Sequence, residues 1–194
     1  MDRFLRGSEW RRWDLHVHTP ETKKNDQYIG STTEEKWNNF YEAISDYIGD
    51  GTDSVKNIAV IGITDYLSID NYMKVKEENR LPQTVKLILP NVEIRIMPPS
   101  KNEPVNMHFI FNPEFASKLK TRFFSYLEFC YGNRKYHAIK EDLIELGKSF
   151  NSSFPEDVAY REGIDKFIVS IDNISDIFKN DRELRENTII ILSN

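Results

Sequence analysis

Two histidines separated by one residue stand near the start of this 194-residue chain, in the segment RRWDLHVHTP. Apolar and polar residues alternate there, which is typical of a β-strand and places His16 and His18 on one face. Residues at positions i and i+2 of a strand have Cα atoms about 6–7 Å apart, so two imidazoles can reach one metal ion. The alternative interpretation is a strand that merely carries two polar residues.

Further candidate ligands lie in later strand-like segments. Asp65 directly follows the apolar run of NIAVIGIT, Glu93 lies in NVEI, and His108 lies within VNMHFIFN. The carboxyl ends of parallel strands form the reactive edge of α/β sheets and barrels. We therefore expect successive strands to bring these side chains and the two histidines to one mouth. A mixed set of imidazoles and carboxylates suits Zn²⁺, Mn²⁺ or Fe²⁺.

Strand-like and helix-like segments alternate along the chain, which predicts an α/β fold with a largely parallel sheet, open or closed into a barrel. Thr32 and Glu35 form a capping box before a helical apolar stripe. TVKLILPNVEIRI predicts a strand, or a pair of strands, interrupted at Pro90. Residues 115–129 and 136–150 look helical, which places His137 on a helix face. The last segments predict strand, helix and strand.

The composition and the charge of the chain limit its partners and its location. A net charge of −5 argues against a global basic field for nucleic acid but leaves a local basic patch open. The single cysteine, Cys130, and the lack of an apolar run of about 20 residues predict a cytoplasmic protein without a membrane partner. We expect one domain over residues 1–194. Because the chain stops after the apolar strand Thr188–Leu192, we expect either an edge strand there or a fragment of a longer protein.

The segments DLHVHTP, GITDY, NVEI and NMHFIF resemble successive motifs of the polymerase and histidinol phosphatase (PHP) superfamily of metal-dependent phosphoesterases. The closer resemblance is to the PHP domain that begins TrlF-like proteins, where an AAA-like or SMC-like ATPase follows. It covers Gly7 to about Asn112 by motif. It implies a distorted (β/α)7 TIM-like barrel, complete or incomplete in this chain, with Mn²⁺, Zn²⁺ or Fe²⁺ bound as one to three ions.

The resemblance also implies roles for individual residues. It makes His16 and His18 ligands of a first metal ion, Glu93 a bridge between two ions, and His108 a ligand of the second. These residues are therefore the predicted metal ligands of the chain.

The GITDY segment supplies the two predicted catalytic residues. Asp65 resembles the acid of the family's T-D-H motif, which orients a neighbour rather than binding metal. Tyr66 replaces the histidine of that motif, and either packs or hydrogen-bonds a water in the site. Later ligands of the family have no clear counterpart before Asn194. Either the site is reduced, or its remaining ligands lie beyond residue 194.

The implied activity is hydrolysis of a phosphodiester bond, as in a nuclease, or of a phosphomonoester bond, by metal-activated water. The implied partners are a phosphate-containing substrate such as DNA or RNA, and an ATPase domain in the same polypeptide or complex that acts in nucleic-acid processing or defence. The alternative, which Tyr66 favours, is a degenerate PHP module with a structural, regulatory or nucleic-acid-binding role and no turnover. The candidate phosphate contacts are Arg95, Lys101, Arg134 and Lys135, with ordinary surface charge as the alternative.

Overall fold

The computed structural model describes residues 11–24, 26–49, 52, 57–98 and 103–192. The strands in these ranges are β1 (Arg12–His18), β2 (Ile58–Tyr66), β3 (Leu87–Met97), β4 (Val105–Phe111), β5 (Glu128–Tyr131), β6 (Arg134–His137), β7 (Val169–Ser170) and β8 (Thr188–Leu192). The α-helices are α1 (Thr33–Ile48), α2 (Asp70–Glu78), α3 (Leu119–Arg122), α4 (Lys140–Phe150), α5 (Glu156–Lys166), α6 (Ile171–Asn180) and α7 (Arg182–Glu186). Short 3₁₀ helices cover Pro113–Lys118 and Phe124–Tyr126.

Six strands form one mixed sheet in the order β1-β2-β3-β4-β8, and β7 pairs with the end of β3. β1, β2 and β3 run parallel, whereas β4 is antiparallel to both β3 and β8. β5 and β6 form a separate hairpin. Among the described strands, the edges β1 and β8 do not pair with each other. The sheet is therefore open.

The expected distorted (β/α)7 TIM-like barrel is wrong, and so is the expectation of a largely parallel sheet. The direction of the chain reverses between β3 and β4, where only residues 98–104 connect the two strands. A return to a parallel neighbour needs a crossover of a dozen or more residues. A connection this short forces β4 to run antiparallel, so the β/α alternation of a barrel ends at β3.

Alternation of side chains along β3 separates two faces of the sheet. Val92 and Ile94 belong to a buried core that also contains the aromatic residues of β4 and of the helices that follow. Asn91, Glu93 and Arg95 therefore point to the opposite face. We call this surface, together with the residues of the other strands that share it, the polar face.

Helices α1 and α2 cover part of the apolar face. Trp37 and Phe40 of α1 and Val75 of α2 pack with Ile61 and Ile63 of β2 in a second buried cluster. The apolar stripe predicted for α1 is thus confirmed. These contacts hold the parallel strands whose carboxyl ends lead into the candidate site.

The predicted start of α1 is also confirmed. The Thr32 hydroxyl accepts a hydrogen bond from the Glu35 N–H (3.1 Å), and the Glu35 carboxylate accepts one from the Ser31 N–H (2.7 Å). This reciprocal arrangement satisfies two backbone donors at the beginning of the helix.

Several local predictions are wrong. β3 continues through Pro90, which lies opposite Ile63 of β2, and pairing with β4 begins only at Asn91. The segment 115–129 is broken into short helical turns and leads into β5. His137 ends β6 rather than lying on a helix. Helix α5, which sequence analysis did not predict, packs closely on α4.

Helices α4 and α5 cross with their backbones in contact. A side chain at Gly147 would collide with the carbonyl group of Ala159, and one at Gly163 with the carbonyl group of Leu143. Two glycines on facing helices therefore permit this close approach.

No helix in the described ranges has the length and apolar character required to cross a bilayer.

Candidate metal centre

Three histidines and one glutamate meet on the polar face. The Nε2 atoms of His16 and His18 are 3.0 Å apart, and each lies 3.6 Å from Oε2 of Glu93. The ring centroids of His16 and His108 are 4.4 Å apart. One ligand atom from each of His16, Glu93 and His108 can be chosen so that all three lie within 4.8 Å of one another. Atoms that bind one zinc ion at about 2.1 Å lie about 3.0–3.5 Å apart, so the cluster has the dimensions of a shared site.

The register of the sheet brings these residues together. Glu93 lies directly opposite His108 in the β3–β4 ladder and opposite Tyr66 in the β2–β3 ladder. Opposed residues of an antiparallel pair have Cβ atoms about 4.5–5.5 Å apart, which accounts for the approach of Glu93 and His108. His108 lies in the middle of β4, as the sequence predicts. The expectation that this strand runs parallel to its neighbours is wrong, because β4 is antiparallel to both β3 and β8.

A β-bulge shapes the strand that carries the two neighbouring histidines. Asp14 pairs with Ile61 and Val17 pairs with Ile63, so β1 has one residue more than β2 over this interval. Such bulges bend a strand and redirect its side chains. A side chain at Gly62 would collide with the backbone of Leu15. Glycine at this position therefore allows the bulged strand to lie close to β2.

Burial across the cluster is uneven. The side chain of Glu93 is 2% exposed, whereas those of His18 and His16 are 25% and 48% exposed. Oε2 of Glu93 and Nε2 of His108 are buried and have no hydrogen-bond partner in the described structure. Leaving such an atom unsatisfied costs about 1–3 kcal/mol, and a bound cation would remove that cost. The donor set thus fits a divalent ion at a site that opens to solvent beside His16.

Electrostatic interactions favour the ligand forms of most of these side chains. Burial alone would raise the pKa of Glu93, but the imidazoles around it outweigh burial and hold its pKa below the usual value. Burial lowers the pKa of both His18 and His108. The Glu93 carboxylate raises the pKa of His16. Near neutral pH, Glu93 is therefore an anion and two of the imidazoles are neutral, as metal binding requires.

Sequence analysis missed two residues that touch the cluster. The side-chain amide of Asn91 donates to the Leu15 carbonyl (2.7 Å) and the Thr64 hydroxyl (2.9 Å), while its oxygen lies 3.3 Å from Nδ1 of His108. The Tyr28 hydroxyl donates to the His18 carbonyl oxygen (3.1 Å). The available signal for Asn91 was a polar residue two positions before Glu93, on the same face of an apolar strand.

Asp65 is not brought into the cluster by the contacts that the structure describes. Its Oδ1 accepts hydrogen bonds from the Thr22 hydroxyl (3.1 Å) and from the N–H of Tyr66 (3.0 Å), and burial raises its pKa to about 7. By strand alternation it faces away from Thr64, which contacts Asn91. Asp65 thus anchors the loop after β1. A catalytic role for it stays a prediction.

Tyr66 lies beside the cluster rather than within it. Its ring stacks on the ring of His18, with centroids 5.7 Å apart and planes inclined by 14°. The ring packing expected as one alternative is therefore present. Its predicted catalytic role is not tested by this contact.

The candidate phosphate contacts occupy different places. Arg95 shares a strand and a face with Glu93; one guanidinium nitrogen lies 3.6 Å from Oδ1 of Asp165 and donates to the Ile164 carbonyl (3.3 Å). Arg134 and Lys135 lie on the β5–β6 hairpin, where they pair with Glu145 and Glu128 respectively. Lys101 lies outside the described residues. Of the three that the structure describes, only Arg95 is placed next to a cluster residue on the polar face.

No protein-family model matches the sequence, and no curated protein matches it at a significant level. The resemblance to the PHP superfamily therefore rests on its four motifs alone.

Proposed function

We propose that this chain is a metal-dependent phosphoesterase that hydrolyses phosphodiester or phosphomonoester bonds. The proposal rests on one observation, the open cluster formed by His16, His18, Glu93 and His108. Metal sites that serve only structure are closed by protein ligands, whereas catalytic sites keep a position open for water or substrate. Here a buried carboxylate forms the base of the site and a half-exposed imidazole forms its rim.

Each side chain has a distinct part in the proposed reaction. The metal would be held by Glu93, His108, His16 and His18. A bound divalent ion supplies Lewis-acid polarisation of a phosphoryl oxygen and a water of lowered pKa. Arg95 contributes a guanidinium on the same face, which suits the binding and orientation of an anionic phosphate. Tyr66 would keep the His18 ring in place through stacking.

The resemblance to PHP domains extends the proposal. Mn²⁺, Zn²⁺ and Fe²⁺ are the ions that this donor set suits. One group of three or more candidate ligands is present among the described residues, which supports a single primary ion. We further propose DNA or RNA as the substrate class and an ATPase in the same polypeptide or complex as the partner.

A second candidate function is a metal-binding module without turnover. It is favoured by Tyr66, which stands where the family has a ligating histidine and packs on His18 instead. Loss of a ligand can remove activity while a structural ion remains bound. The two candidates differ in whether metal binding is accompanied by hydrolysis.

The deciding experiment measures metal content and hydrolysis in the wild type and in His16→Ala. The wild type should bind Mn²⁺ or Zn²⁺ and hydrolyse a generic phosphodiester or phosphomonoester. Removal of a ligand should lower metal affinity and activity by about 100-fold or more, since even loss of a residue that supports a ligand costs 10–100-fold.

His137→Ala is the matched control, because His137 lies on β6 and contacts Asp142 instead of the cluster. This variant should behave like the wild type. Metal binding without hydrolysis would favour the module, and a wild type that binds no metal would refute both candidates.

A further inference from the structure

Asn91 connects three of the strands that build the candidate metal centre. It lies on β3, is 1% exposed, and reaches Leu15 of β1, Thr64 of β2 and His108 of β4 through its side-chain amide. We propose that Asn91 is a positioning residue that holds His108 in the tautomer with the proton on Nδ1, and so presents the lone pair of Nε2 to Glu93 and His16. This inference concerns the same site as the proposed function but does not require that the site be catalytic.

The orientation of the Asn91 amide follows from its neighbours. A carbonyl oxygen can only accept hydrogen bonds, so the group 2.7 Å from the Leu15 carbonyl has to be the amide nitrogen. The second N–H of that nitrogen is directed to the Thr64 hydroxyl. Turning the amide over would bring two oxygens together at the first contact. The amide oxygen therefore faces His108.

The protonation of His108 follows from that orientation. The amide oxygen of Asn91 only accepts, so the ring nitrogen 3.3 Å away, Nδ1, has to carry the hydrogen. In a neutral imidazole the other nitrogen then has a lone pair. Nε2 of His108 is buried and has no hydrogen-bond partner in the described structure. A cation bound by both this nitrogen and the Glu93 carboxylate would give each of these buried atoms the partner that it lacks.

The same amide also fixes the strand that carries the other imidazoles. Leu15, whose carbonyl it binds, directly precedes His16 at the bulge of β1. One side chain thus orients a ring on β4 and restrains the backbone beside a ring on β1. Residues that support metal-binding histidines in this way contribute 10–100-fold to metal affinity.

The test begins with the metal-free protein. Long-range ¹H–¹⁵N correlation spectra of uniformly ¹⁵N-labelled protein distinguish a protonated from an unprotonated nitrogen in each imidazole, and His108→Gln assigns the signals. In the wild type we expect a proton on Nδ1 of His108 and none on Nε2. A proton on Nε2 instead would overturn the proposal.

Two variants separate positioning from general stability. Asn91→Leu removes the acceptor and both donors, so His108 should lose its preference for the Nδ1–H form and affinity for Zn²⁺ alone should fall about 10–100-fold. Asn91→Asp keeps the acceptor for Nδ1 and loses the donors, so the tautomer should be retained. Equal spectra and equal zinc affinities in the wild type and Asn91→Leu would contradict the inference.

Asn173→Leu is the matched control. The Asn173 amide on α6 likewise bridges two segments of the chain, since it donates to the Tyr126 carbonyl and accepts from the N–H of Glu128, but it makes no described contact with the cluster. This variant should leave the His108 tautomer and the zinc affinity unchanged. If Asn91→Leu fails to fold, the wild type and Asn91→Asp still decide the tautomer.

Failure of this inference is distinguishable from failure of the proposed function. The tautomer is measured without metal or substrate. A wild type with Nδ1–H at His108 and no hydrolysis would refute the phosphoesterase and leave the assignment of Asn91 intact. Hydrolysis by a protein whose His108 carries its proton on Nε2 would do the reverse.

Discussion

His16 and His18 have different electrostatic surroundings although they lie on one face of one strand. The Glu93 carboxylate raises the pKa of the more exposed His16. Burial lowers the pKa of His18, and the charge of the nearby His16 lowers it further. Of these two rings, the one at the rim of the site therefore binds a proton more tightly. A cation that enters from solvent competes with a proton more strongly at His16 than at His18.

Asp65 should make the stability of the fold depend on pH. Burial raises its pKa well above the usual value for an aspartate, to about 7, so the folded state holds the proton more tightly than the unfolded state. The resulting stabilisation is complete below about pH 4 and is lost as pH rises to about 7. We expect Asp65→Asn, which keeps an acceptor for Thr22, to gain about 2–4 kcal/mol in stability relative to wild type between pH 4 and 8.

Urea unfolding of both proteins across this pH range measures the effect. Asp46→Asn on the exposed side of α1 is the control, and it should not reproduce the gain in stability, because it removes no buried carboxyl group. Parallel stability profiles for wild type and Asp65→Asn would show that the carboxyl group is ionised in the folded protein throughout.

At the level of elements, Gly62 should be essential to the approach of β1 and β2. Gly62→Ala would place a methyl group against the backbone of Leu15, and the strands would have to separate. Overpacking of this kind costs about 1–3 kcal/mol, and the shift would also move His16. We expect a lower free energy of unfolding together with weaker metal binding.

Ala59→Gly in the same strand provides a comparison for Gly62→Ala. It should destabilise β2 through backbone entropy and leave metal affinity close to that of the wild type. If Gly62→Ala loses stability but binds metal normally, the bulge of β1 does not depend on this close approach.

The elements differ in how far the sequence predicts them. β1 and α1 follow from local patterns, namely the alternation around His16 and the capping box at Thr32, and both are present. The segment VNMHFIF does not predict the direction of β4, since the same apolar pattern fits a parallel and an antiparallel strand. The short connection before β4 does predict it, because a parallel return needs a longer crossover. Asn91 was missed because its significance lies in contacts with residues distant in sequence, which only the register of the sheet reveals.

At the level of the whole molecule, a metal ion would add a further connection between strands that the backbone ladder and the Asn91 amide already join. His16 belongs to an edge strand, Glu93 to the centre of the sheet, and His108 to the antiparallel part. A ligand that binds only the folded state stabilises it, by about 2.7 kcal/mol when its free concentration is about 100 times Kd. For a chain of this size that corresponds to an increase in Tm of roughly 5–10 °C.

Thermal unfolding with and without Zn²⁺ or Mn²⁺ measures this coupling, with the metal then removed by a chelator. The increase in Tm should disappear in His16→Ala and persist in His137→Ala, because only the first change removes a donor from the cluster. An equal increase in both variants would place the stabilising ion elsewhere on the protein. The absence of any increase at saturating metal would mean that the four side chains do not form a binding site. The separations of 3.0 and 3.6 Å between their nitrogen and oxygen atoms would then reflect packing alone.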